Sequence, residues 1–180
     1  MNKRIIYIFT FFLLAIILIL LWPSPKISLT NLTRHPGFDA YPSVSPDGSQ
    51  VAFISNREGN YELFIMDISS GHIRQLTHNA VDEISPSWSP DGRQIVFCSN
   101  RDGYNAIFTI NIITLKQQKI FSHSYGALHD PAWSPDGAWI AFSCHDLQAQ
   151  REDTDIYILN LFRGQPINLT ESPGYDIQPS

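Results

Sequence analysis

Beyond residue 26 the chain alternates apolar and polar positions over short runs that end in Gly, Pro, Asn, Asp or Ser. That is the pattern of half-buried strands joined by tight turns. Gln50 to Ser55 sets Val51 and Phe53 on one face, and a turn at Asn56-Arg57-Glu58-Gly59 leads into a second run, Glu62 to Ile68. A third run, His72 to Thr77, follows Ser69-Ser70-Gly71, and Tyr41 to Ser45 precedes the set. These runs, strands a to d in chain order, predict one antiparallel unit of four strands. Ile27 to Thr33 predicts a further strand, whose Leu32-Thr33 ending matches Leu76-Thr77 and Leu169-Thr170 and so marks it as a strand d.

The unit repeats. Ser45-Pro46-Asp47-Gly48 returns as Ser89-Pro90-Asp91-Gly92 and as Ser134-Pro135-Asp136-Gly137, at intervals of 44 and 45 residues. Self-similarity at a fixed period means stacked supersecondary units that bury their faces against one another. The chain therefore predicts an all-β fold of β-propeller blades: three four-stranded antiparallel blades at about 38–78, 82–122 and 127–170, with the start of another at 175–180. In the tetrad, proline presets φ for a type I turn, aspartate accepts the next position and glycine takes the left-handed one, so its three aspartates are read as turn residues. Phe53, Phe97 and Phe142 recur on strand b, Phe64, Phe108 and Tyr157 on strand c, and Trp88 and Trp133 on strand a, as packing residues between blades. The loop between strands b and c of the third repeat is longer, from His145 to Thr154, and is a candidate contact region.

Residues 5–22 follow a different pattern. Ile5 to Trp22 is apolar apart from Tyr7 and Thr10, and about 27 Å of helix just spans a hydrocarbon core. Lys3 and Arg4 keep residues 1–4 in the cytoplasm by the positive-inside rule. No small-x-small site ends the run, so an uncleaved signal anchor is expected, followed by a linker at 23–26 and the translocated repeats at 27–180.

Composition narrows the function classes. A net charge of −5 without a basic stripe argues against nucleic acid as a partner. The sequence has no G-x-S-x-G elbow, H-E-x-x-H, C-x-x-C or phosphate-binding glycine loop, so neither catalysis nor a cofactor is expected. Cys98 follows Phe97 directly, whereas Cys144 lies two after Phe142. Alternation turns them to opposite sheet faces, and two buried free thiols are expected.

The run Pro-Ser-Trp-Ser-Pro-Asp-Gly at residues 86–92, with Ile95-Val96-Phe97, Ser99-Asn100-Arg101-Asp102-Gly103 and the Leu-Thr strand endings, resembles the repeats of TolB-type β-propellers. That resemblance covers nearly everything after Lys26. It implies periplasmic propellers that dock other proteins, here most simply in a bacterial inner-membrane protein whose C-terminal part lies in the periplasm or outside the cell. Related repeats also form the non-catalytic propeller of prolyl-oligopeptidase-type serine peptidases and propeller lyases, the alternative reading.

In a propeller, strand a is innermost, and the d-to-a and b-to-c loops share the face opposite the tetrads. Asp39, Glu83 and Asp176 stand three residues before the repeat proline, and Asp130 directly before Pro131. Together they predict a carboxylate arc at the mouth of the central channel. The arc suits a cation or the basic side chains of a partner, unless Arg57 and Arg101 pair with it. His78 and His123 are equivalent across blades but lack a third ligand, so no metal is expected. These eight residues form the candidate face for a protein partner or a cell-envelope polymer. A propeller needs at least four blades, so a truncated propeller is expected, prone to self-association through its open blade edges.

Overall fold

A computed structural model describes residues 28–124, 126–146, 153–171 and 174–179. The chain divides after Asn31 into two units, and residues 5–22, the expected membrane segment, lie outside the described residues. Among the described residues no helix is long and apolar enough to cross a membrane.

The described residues from Leu32 onward form twelve strands in three sheets. The first sheet holds β1 (Asp39–Val44), β2 (Gln50–Ser55), β3 (Glu62–Asp67) and β4 (Ile73–Gln75), hydrogen-bonded in that order. The second repeats it with β5 (Glu83–Trp88), β6 (Gln94–Ser99), β7 (Ala106–Asn111) and β8 (Gln117–Ser122). The third has β9 (Gly126–Trp133), β10 (Trp139–Asp146), β11 (Thr154–Asn160) and β12 (Pro166–Asn168). All pairings within the sheets are antiparallel. The expected blades are present.

Each a–b hairpin closes through the tetrad. The Gly48 amide donates to the Ser45 carbonyl at 2.8 Å, and the Ser45 hydroxyl donates to Asp47 Oδ1 at 2.6 Å while accepting the Gln50 amide at 2.9 Å. The same bonds recur at Ser89-Asp91-Gln94 and Ser134-Asp136-Trp139. Gly48, Gly92 and Gly137 take φ of 72°, 67° and 71°, a region in which a Cβ is strained.

Blades pack face to face. Phe97 and Phe108, a cross-strand pair with ring centroids 6.0 Å apart, meet Ile54, Leu63 and Ile65 of the first blade. Phe142 and Leu159 meet Val96 and Ile107 of the second. Burying a side chain of this size contributes about 1.5–3 kcal/mol, so these two clusters hold the blades together. Trp88 belongs to the first cluster and donates its Nε1–H to the Ser43 carbonyl of the preceding blade at 3.0 Å. Trp133 packs against the second.

Three expectations change. Residues 28–33 form no strand. Of the expected opening of a further blade, the described residues show Tyr175 in a parallel bridge with Thr154. The long third loop is narrower than expected, since β10 runs on through His145 to Asp146, paired there with β9, and β11 begins at Thr154; residues 147–152 lie outside the described residues. The cysteines are buried and form no disulfide with each other, as expected, but both lie in the cluster between the second and third blades. Opposite faces of successive blades look at one another, so alternation brought the two thiols into one interface.

Candidate functional site

The site lies where the innermost strands converge. In each of β1, β5 and β9 a bulge interrupts the register just before the repeat proline. The residue preceding that proline is left-handed in every repeat: Tyr41 at φ 51°, Ser85 at 51°, Asp130 at 49° and Gln178 at 58°. Neither a side chain nor a following proline favours this conformation, so the packed blades impose it. These residues, their prolines and Ser43, Ser87 and Ala132 line an open cleft of about 300 Å³.

The predicted carboxylates do not act as one arc. Arg57 donates to Asp39 at 3.0 Å while its guanidinium lies 5.3 and 4.9 Å from the Phe53 and Phe64 ring centres. Arg101 repeats the device, 2.6 Å from Glu83 and 4.3 Å from the Phe108 ring centre. These pairs tie each b–c turn to the start of strand a, on the face away from the tetrads. Burial pushes the Asp39 carboxyl up but is outweighed by bonds from Ser55, Thr33 and Arg57, leaving it below its ordinary value. At Glu83 burial wins over Asn79, Ser99 and Arg101, and the carboxyl is raised.

Of the four carboxylates, Asp130 alone lines the cleft. The register explains its separation from the others: Leu128, fully buried, holds the third-blade place of Asp39 and Glu83, and Asp130 holds that of Tyr41 and Ser85. Its Oδ1 accepts the Ser85 hydroxyl at 2.8 Å across the blade boundary. Asp176 is placed by its amide, which donates to the Thr154 carbonyl. His78 is exposed, whereas the His123 Nδ1 is buried against Gly126. Among the described residues no three His, Cys, Asp or Glu side chains gather as a metal site.

The pre-proline register escaped the sequence reading although it was legible. Tyr, Ser, Asp and Gln share no chemistry, so only their position relative to the prolines could have marked them. A second buried group was also missed: Glu62 and Glu83 are joined through Asn79, whose amide donates to Glu62 Oε1 and whose side chain donates to Glu83 Oε1, each at 2.6 Å.

Residues 26–125 match the family described as the TolB beta propeller domain. A TolB homologue from Chlorobium luteolum is 46% identical over 44 residues, which are 24% of this chain and 10% of that protein. Among solved structures, one assigned to TolB of Agrobacterium tumefaciens superposes with a TM-score of 0.68 at 26% identity, covering 77% of this chain and 51% of the other. TolB from Acinetobacter baumannii gives 0.67 at 27% identity, covering 77% and 34%. An oligogalacturonate lyase from Vibrio parahaemolyticus, 13% identical with a TM-score of 0.64 over 81% of this chain and 44% of its own, shares the fold alone. The chain thus spans about half or less of the relatives it matches. With the repeat, the register and the matched span in agreement, the chain belongs to the TolB beta propeller domain family.

Proposed function

We propose that this chain is a non-catalytic, extracytoplasmic propeller scaffold, held at the membrane by residues 5–22, that docks a protein or envelope polymer at the mouth formed by its inner strands. One observation carries the reading: the open cleft is built from the same left-handed pre-proline position of four repeats. Conformations that cost free energy and recur at one mouth fit a surface shaped for contact. The cleft is lined by proline rings, Tyr41 and small hydroxyls, a wall suited to shape recognition rather than bond breaking.

The test is photocrosslinking in cells from a benzophenone amino acid at Tyr41, which is 49% exposed. A discrete adduct with one envelope component, absent when the probe stands at Ile113 on a c–d turn, is the expected result. No adduct from Tyr41, or the same adducts from both positions, would overturn the reading. An alkaline phosphatase fusion after Ser180 tests the topology; an inactive fusion would place the repeats in the cytoplasm.

A further inference from the structure

We propose that Asp130 is the specificity residue of this mouth and receives a cationic side chain, an arginine or lysine, from the docked partner. The inference rests on the docking reading above and adds the chemistry of what is recognised. The ion pairs among the described residues are Arg57–Asp39, Arg101–Glu83 and Lys119–Asp102, and none involves Asp130. Asp39 and Glu83 are thereby neutralised within their own blades, while the carboxylate that faces the cleft is not.

Ser85 fixes the orientation of that carboxylate by donating to Oδ1, which leaves the other oxygen available to a ligand. The surrounding wall suits the rest of a basic side chain. Proline rings take the aliphatic stem of lysine or arginine, and the exposed Tyr41 ring offers a face to the charge. A carboxylate beside an apolar wall attracts a cation more strongly than one surrounded by water. The chain's net charge of −5 steers the same class of partner.

The probe is N-acetyl-arginine methylamide, titrated into the detergent-solubilised full chain, with N-acetyl-citrulline methylamide as its uncharged isostere. Amide shifts of Ser85, Ser87 and Asp130 are the readout. Saturable shifts are expected with arginine, at least about fivefold weaker with citrulline and in Asp130→Asn, and reduced by added salt. The Asn variant retains an oxygen for the Ser85 hydroxyl, so a thermal melt close to wild type is expected. Equal shifts from citrulline, or shifts that survive in Asp130→Asn, would overturn the proposal. The Tyr41 crosslink separates the two levels. A crosslink that persists unchanged in Asp130→Asn leaves docking intact and removes the role of Asp130; arginine binding without any crosslink does the reverse.

Discussion

Arg101 and Glu83 form an ion pair of 2.6 Å in which the carboxylate side chain is fully buried and the arginine about a quarter exposed. Replacing one partner of such a pair leaves the other desolvated without compensation, at a cost of about 3–5 kcal/mol. Arg101→Met should therefore destabilise strongly, since it also strips the cation from above Phe97 and Phe108. Adding Glu83→Gln to it should recover much of the loss, a coupling that urea unfolding of the double-mutant cycle measures. Losses that simply add would show that the pair is not coupled.

The same carboxylate gives a pH dependence of definite sign. Burial raises the Glu83 pKa in the folded state, so the folded protein holds this proton more tightly than the unfolded chain. Its contribution is fully present below the unfolded value and is lost as pH rises through the folded one. Glu83→Gln should therefore gain stability relative to wild type as pH rises through that window, compared by melting temperature. A difference that stays flat, or shrinks, would contradict the assignment.

Trp88 and Trp133 occupy one repeat position yet differ in satisfaction. The Trp88 indole N–H reaches the Ser43 carbonyl, whereas the Trp133 Nε1 is buried without a partner. Trp88→Phe loses a hydrogen bond between blades, at about 1 kcal/mol beyond the change in packing. Trp133→Phe removes an unsatisfied donor and should cost less. Denaturant midpoints of the two variants decide it, and equal losses would mean that the indole bond contributes nothing.

Most of the fold was legible because the repeat states it three times over. The tetrad marks each a–b turn, and Phe53, Phe97 and Phe142 mark one sheet face. What a single repeat cannot show is the relation between neighbours. The place of Cys98 and Cys144 depends on which face looks at which blade, and the fate of Asp39 and Glu83 on how far Arg57 and Arg101 reach. Residues 28–33 carry a strand pattern without being a strand, since alternation alone does not fix strand pairing. The charge of Asp130 is legible in the sequence, while its place in the cleft comes from a bulge that composition does not reveal.

Both thiols should be inert in the folded protein. Cys98 is fully buried and burial, with Asp130 and Glu83 nearby, pushes its pKa up, so little thiolate exists at neutral pH. Cys144 is 7% exposed in the same cluster. Ellman's reagent should label neither until denaturant is added, and then both. Rapid labelling of the native chain would show that the interface between the second and third blades opens readily.

The tetrad aspartates set the response to acid. Bonds from Ser45, Ser89 and Ser134, then from the backbone amides of Ser49, Arg93 and Ala138, hold the carboxyls of Asp47, Asp91 and Asp136 below their ordinary value. Asp67, bonded by Ser69 and Ser70 in a c–d turn, is lowered to about 2. A depressed folded pKa contributes stability that is present above the unfolded value and lost as pH falls through the folded one. The tetrad turns should therefore weaken as pH falls below the ordinary aspartate range, and the Asp67 turn between that range and about pH 2, opposite in sign to Glu83. Ser89→Ala removes the leading bond to Asp91 and leaves the Gln94 amide without its hydroxyl acceptor. The variant should be less stable than wild type at neutral pH, and the gap should narrow as acid protonates Asp91 in both proteins. A gap independent of pH would assign the loss to the Gln94 bond and leave the carboxylate without a part in the turn.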